Sequence, residues 1–316
     1  MGTNIGIGNY IGKSKPQGSS FHPSLVDYWN FKGKNNFDKD RNTIKGIKGN
    51  ILNAYNFGWS LGSGYGLFNE NYLTYNKAQN VFVTDDHSIT IMSFVPANNW
   101  ILSKYGNSQL NATRIRVTGL TANNQLAYGY SPTNDGARVL MAIPSDGEYD
   151  LPKSVVNTQT YNVGFIVQNA LSQNVTIQQI PEYEGAIVTD GIDDYLKLDK
   201  VGYKVRTIII KFKTINIKPN IVNCILNIHT DEVTLQYDTS GVLNNNFTTY
   251  KNYGEYSVGT FNIDKNAATP LTLGCKLSNS YRPMEYSNVA IYSVAIYQNV
   301  LTAEEIQKEI IKMQSL

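Results

Sequence analysis

Charge is scarce in this chain, and what there is cancels. Asp, Glu, Lys and Arg make up 16% of 316 residues, and 27 basic against 25 acidic side chains leave a net charge of +2. The two signs are interspersed, so the sequence carries no one-signed stripe of the kind that binds nucleic acid or an anionic membrane. Cysteine is nearly absent. Cys224 and Cys275 each sit inside an apolar β-like run, which excludes a disulfide framework or metal site and predicts two buried thiols. The histidines His22, His87 and His229 are far in sequence from one another and from both cysteines, so no zinc-ligand spacing and no nucleophile triad can be read. Apolar residues never run to the roughly 18 needed to cross a bilayer as a helix. The first residues lack a basic segment followed by an apolar one, so export by a standard leader is not expected. A sustained heptad repeat is missing too, which excludes a coiled coil within the chain.

What the chain has instead is Asn, its commonest residue, together with 22 Tyr and 25 Gly. Asn supplies turns and Tyr suits half-buried strands. The same residues also build β-rich adhesion surfaces, where amides and flat rings meet sugars or protein partners. Residues 1–24 are punctuated by Gly2, Gly6, Gly8, Gly12 and Gly18 and cannot form a core of their own. They read as an extended anchoring arm whose apolar pegs are Ile5, Ile7, Tyr10 and Ile11, with a disordered leader as the alternative. Residues 25–95 and 183–316 alternate β-prone runs with glycine turns and read as two parts of one sandwich. Between them, residues 96–182 hold short strands with no helical period, the pattern of a small inserted β-sandwich. One helix is expected at the end. Thr302 and Glu305 form a capping box, Leu301 and Ile306 a hydrophobic staple, and Ile306, Ile310 and Met313 fall on one face.

Two segments carry a family resemblance. GAIVTDGIDDYLKLD (185–199) places an acidic turn between two β-prone runs, and SNVAIYSVAIYQNVLTAEEIQKEI (287–310) passes from an apolar strand to the capped helix. Together they resemble the concanavalin A-like, laminin-G-like jelly-roll sandwiches. LVDYWNFKGKNNFDKDRNTIKGIKGNILNAYNF (25–57) is similar to the opening of that family in phages of gut Bacteroides, and MGTNIGIGNYIGKSK to the amino-terminal tag of virion proteins in crAss-like phages. The resemblance implies an all-β concanavalin A-like jelly roll with an inserted β-sandwich and a C-terminal helix. It also implies a virion structural protein, a head or tail fibre component fixed to the particle by its arm and made in the host cytoplasm. Its partners would be copies of itself, with a trimer as the expected oligomer, neighbouring virion proteins, and a bacterial surface glycan. Neither nucleic acid binding nor membrane insertion is expected.

Few residues point to chemistry. The E-x-D-x-x-E string that places carboxylates on one strand face of related glycan-cutting enzymes is missing, so no catalytic residue is assigned and the chain is expected not to be an enzyme. The densest acids, Asp190, Asp193 and Asp194, are candidate Ca²⁺ ligands by resemblance to the rim site of laminin-G-like domains, as is the pair Asp85 and Asp86. Turn-forming Asp is the competing reading for both. In YKNYGEYS, the rings of Tyr250, Tyr253 and Tyr256 flank Gly254 and are candidates for glycan or partner contact, against the alternative that at least one packs inward. A glycan-binding adhesin and, behind it, a capsule depolymerase are the alternatives to the fibre component.

Overall fold

The computed structural model describes residues 20–316 except 80, 106–107, 122–124, 159–160, 229–232, 267–269, 279 and 281; at 83–85, 263 and 266 only the backbone is described. The arm pegs Ile5, Ile7, Tyr10 and Ile11 lie outside these residues.

Period-two alternation writes the strands directly. In Thr113–Thr118 the side chains of Ile115 and Val117 are buried while Arg114 and Arg116 face solvent, as a strand half-covered by a second layer requires. Such strands assemble into antiparallel sheets, and the fold is all-β apart from one α-helix and a single 3-10 turn among the described residues.

Two seven-stranded sheets form the larger body. The helix-side sheet is centred on the long strands Lys204–Asn216 and Asn288–Tyr297, and the far sheet on Tyr195–Leu198, Leu271–Leu273 and Asn223–Ile228. Their facing side chains make one core, with Trp29, Phe31, Ile208, Ile210, Ile291 and Val294 from the first meeting Leu52, Leu196, Leu226, Leu235 and Leu273 from the second. Both sheets are therefore closed on one another as a sandwich.

Between Leu67 and Glu182, which are paired across adjacent antiparallel strands, the chain leaves to build a second sandwich of two five-stranded sheets. It has its own core, which includes Ile89, Ile91, Ile101, Leu126, Phe165, Val167, Val175 and Ile177. The sequence boundary at residue 95/96 is corrected here: strands Asn76–Lys77, Val81–Asp85 and Ser88–Ile91 pair with inserted strands, not with the outer body. Ile89 and Ile91 would alternate identically in either sandwich, so the local pattern carries no information about which sheet receives them.

Helix α1 spans Ala303–Ser315 and carries the expected capping box. Ile306, Ile310 and Met313 pack on Leu25, Tyr28, Ile209, Ala295 and Tyr297, covering part of the outer face of the helix-side sheet. One buried acid sits under the helix: Glu309 accepts hydrogen bonds from the Tyr297 hydroxyl at 3.0 Å, the His22 amide at 3.0 Å and Lys312 Nζ at 2.6 Å. Lys312 also donates to the Ser20 carbonyl at 2.7 Å, so the first described residues are tied to the helix.

Candidate functional sites

The acidic turn follows strand Glu182–Val188. Gly191 adopts φ +74, and a Cβ there would stand 2.9 Å from the Asn288 amide nitrogen, so only glycine allows this approach. Asp190 Oδ1 accepts the amides of Ile192 at 2.7 Å and Asp193 at 3.3 Å, the self-bonded turn that Asp favours. Asp194 is fully buried; its Oδ2 accepts the Asp190 amide at 2.9 Å, while Oδ1 has no hydrogen-bond partner. Burial pushes the Asp194 carboxyl up to about 6; the Asp190 and Asp193 charges reinforce the shift, and the Asp190 amide and the nearby Ser63 hydroxyl oppose it.

Ligand oxygens of Asp190, Asp193 and Asp194 lie within 4.8 Å of one another, so the carboxylates alone would reach one cation. A calcium shell needs about six to eight oxygens, part of them carbonyls. Here the turn carbonyls are engaged: Asp190 O by Asn288 Nδ2 at 3.3 Å, Asp193 O by Asn56 Nδ2 at 2.9 Å, and Gly191 O by the Lys218 ammonium. With a lysine cation already seated on the loop, these residues fit a structural turn and not a calcium shell. At the other acidic pair, the Asp86 carboxylate bonds His87 Nδ1 at 2.8 Å, and the side chain of Asp85 lies outside the described residues.

The three tyrosines lie on a hairpin, Thr249–Tyr253 paired with Tyr256–Asn266, which turns through Gly254 at φ +61. Strand alternation separates them. Tyr250 packs from the edge of the central core, with its hydroxyl 3.0 Å from Ser257 Oγ. Tyr253 and Tyr256 turn to the opposite face, beside α1. Tyr256 is only 4% exposed, so the alternative of a ring packed inward holds: Tyr250 and Tyr253, three apart on one strand, face opposite ways, and Tyr256, paired directly across from Tyr253, shares its face.

Tyr256 does, however, reach the floor of a cleft that the sequence did not disclose. One edge of strand Asn288–Tyr297 changes partner midway. It pairs with Glu182–Val188 at Ala290 and Ile291, and with Leu25–Asn30 from Ser293 onward. At the fork, Tyr292 O accepts the Phe31 amide at 3.1 Å. The incoming strand is bulged there, since Glu182 and Ile187 pair with Leu67 and Tyr65, five residues against two. The bulge lifts Tyr183, Glu184 and Gly185 out of the ladder, as bulges do where side chains are re-aimed. Tyr183 takes φ +59 and Gly185 φ +81.

The opening holds about 630 Å³, with Tyr28, Tyr256, Tyr292 and Ser293 on its floor and the end of α1 as one wall. Lys211 Nζ stands 4.9 Å from the Tyr292 ring centre and 5.9 Å from that of Tyr256, and donates to Glu255 at 2.6 Å. A second cavity of about 450 Å³ continues toward the inserted sandwich; it shares Glu184 and Tyr292 with the first and adds Tyr183, Asn69 and Arg114. Concavity with a few converging polar groups is what a ligand site requires. The sequence signal available in retrospect was PEYEG at 181–185, a proline and a glycine bracketing an otherwise β-like run. Comparison with protein-family models, with curated proteins and with solved structures finds no match.

Proposed function

We propose that this chain is a non-enzymatic bacteriophage virion protein, a head or tail fibre component, whose larger body is a concanavalin A-like, laminin-G-like jelly roll. In this reading residues 1–24 form the arm that attaches the protein to the particle, copies associate as a homo-oligomer, a trimer by expectation, and the two sandwiches are displayed outward for host-surface adhesion. The supporting observation is the anchorage of the arm's root. Lys312 holds Ser20, Glu309 holds the His22 amide, and the Phe21 ring lies tilted against Tyr28 at 5.2 Å. These contacts hold residues 20–22 beside α1, while the inserted sandwich joins through the Leu67 and Glu182 pair at another strand of the same sheet. In this reading, attachment and display would use separate places on one sheet. Weak contacts repeated by particle symmetry would supply avidity without new chemistry.

Mass spectrometry of purified particles, with antibody labelling against residues 287–316 in electron microscopy, tests the reading. Label on head or tail projections is the expected result, and particles without the protein would overturn it. A glycan-binding adhesin is the second reading, favoured by the tyrosine-floored cleft.

A further inference from the structure

We infer that the first cavity, the cleft at the fork of the helix-side sheet, binds a neutral sugar, with the Tyr292 ring as platform and the side-chain amides of Asn30 and Gln314 as the groups that read its hydroxyls. This rests on the adhesin reading above and gives it a site and a ligand class.

Three observations carry it. The first is how the cleft is held open. Tyr183 at φ +59 and Gly185 at φ +81 belong to the bulge that keeps Glu184 and Gly185 out of the ladder. A bulky aromatic in left-handed backbone is an outlier that the surrounding structure must hold in place. The result is a concavity of about 630 Å³, within the size range of small-molecule sites. At the fork the Tyr292 carbonyl already accepts the Phe31 amide at 3.1 Å, so that carbonyl is not open to an added peptide strand.

The second is charge balance. The charged side chains lining this cavity are Lys32, Lys211 and Glu184. Lys211 is paired with Glu255 at 2.6 Å. Lys32 makes no ion pair among the described residues, and it runs beside the bulge, since a Cβ on Gly185 would stand 3.7 Å from Lys32 Cα. The charges of Lys32 and Glu184 therefore lie on adjoining segments and offset one another, which favours an uncharged polar ligand over an ion of either sign.

The third is the neutral lining. Tyr28 and Tyr256 are 1% and 4% exposed and close the floor, while Tyr292 is half-buried and offers its ring. Asn30 Oδ1 accepts the Lys32 amide at 3.0 Å; its Nδ2 has no partner among the described residues, and neither has the Gln314 side chain. Asn30 ends strand Leu25–Asn30 and Gln314 lies in the last turn of α1, so unclaimed amides line the cavity from two different elements. A ring with amide donors and acceptors beside it matches the apolar faces and hydroxyl rim of a sugar.

The test is an array of oligosaccharides of glucose, galactose, mannose and N-acetylglucosamine printed beside uronate- and sialate-bearing ones. It is probed with the full chain, Gln314→Ala and Tyr292→Ala, with melting temperatures measured in parallel. Gln314→Ala changes an exposed side chain without a partner among the described residues, so its melting temperature should hold or rise. The expected result is binding to neutral members that is unchanged between low and high salt and lowered roughly tenfold by each variant. Binding confined to acidic members, binding that falls steeply with salt, binding that Gln314→Ala leaves unchanged, or no neutral sugar bound would each overturn the inference. The outcome is separable from the adhesin reading: sugar binding indifferent to both variants removes the cleft and keeps an adhesin with its site elsewhere, whereas a blank array removes both and leaves the fibre component to stand or fall with the particle measurements.

Discussion

Asp27 shows how one buried charge can organise a loop. It is wholly buried and accepts four hydrogen bonds at 2.8 Å, from the amides of Tyr28, Lys48 and Asn50 and from Asn50 Nδ2. Gly46 is glycine because a Cβ there would fall 2.3 Å from Asp27 Oδ1. Asp27→Ala strands those donors, so it should lower unfolding free energy by at least about 3 kcal/mol, measured by denaturant titration. Asp194 is the opposite case, a buried carboxyl short of donors. Its folded value, about 6 against an ordinary 3.8, means that the folded chain holds this proton more tightly than the unfolded one. The stability it contributes is complete below the unfolded value and is lost as pH rises through the folded one. Asp194→Asn stays neutral throughout. Relative to the parent it should gain on the order of 2 kcal/mol between about pH 4 and pH 8, and parallel denaturation midpoints across that window would refute the argument. Millimolar calcium should leave the parent's melting temperature unchanged, since the turn carbonyls are taken; a clear rise would show that the shell completes itself.

At the scale of elements, what was legible in the sequence was what local chemistry decides. Helix α1 is the clearest instance. Thr302 accepts the Glu305 amide at 3.3 Å, and Glu305 reaches back to the Thr302 amide at 2.8 Å. Leu301 and Ile306 are buried together as the staple requires. Thr302→Ala should therefore cost about 1 kcal/mol, seen as a lower thermal midpoint, and Thr302→Ser should restore it. Both buried cysteines were equally readable, whereas the Asp190-Gly191 turn, read as a hairpin, connects strands of two different sheets. The boundary at 95/96 puts the strand Ser88–Ile91 in the wrong sandwich, because its partner Val175–Ile180 lies far along the chain. The hairpin tyrosines were found as a cluster, and only their register divides them between two faces. The fork was not legible at all. It exists because Leu25–Asn30 and Glu182–Val188 share one edge of a strand near the end of the chain, and no window of sequence contains all three.

The whole molecule is two cores on one chain, and that arrangement is testable. Leu67 and Glu182 sit opposite each other in an antiparallel ladder, so the intervening sandwich occupies the place of a hairpin turn. Contacts at the junction include Asn69 Nδ2 with Glu182 at 3.0 Å and His87, stacked on Phe68 at 4.0 Å and tilted against Phe37 at 5.3 Å. Closing a hairpin across a long insertion adds little entropic cost per residue inserted, so removing the insertion should leave the outer body able to fold. Replacing residues 68–181 by Asn-Gly supplies a two-residue turn suited to that ladder. The shortened protein has a built-in reporter, because Cys224 and Cys275 both lie in the outer body and are fully buried. Burial holds Cys224 well above the ordinary thiol range and pushes Cys275 up to about 12, so neither reacts as thiolate while the core is closed. Both thiols should resist labelling in buffer and become reactive in one cooperative step in denaturant, with a midpoint close to that of the full chain. Immediate labelling of the shortened protein would mean that the outer sandwich depends on the inserted one. Trp100 is the only tryptophan of the insertion and sits under Arg138 at 4.6 Å. In the full chain, with Trp29 and Trp59 replaced by Phe, its fluorescence should follow a transition of its own, distinct in denaturant from the one the thiols report.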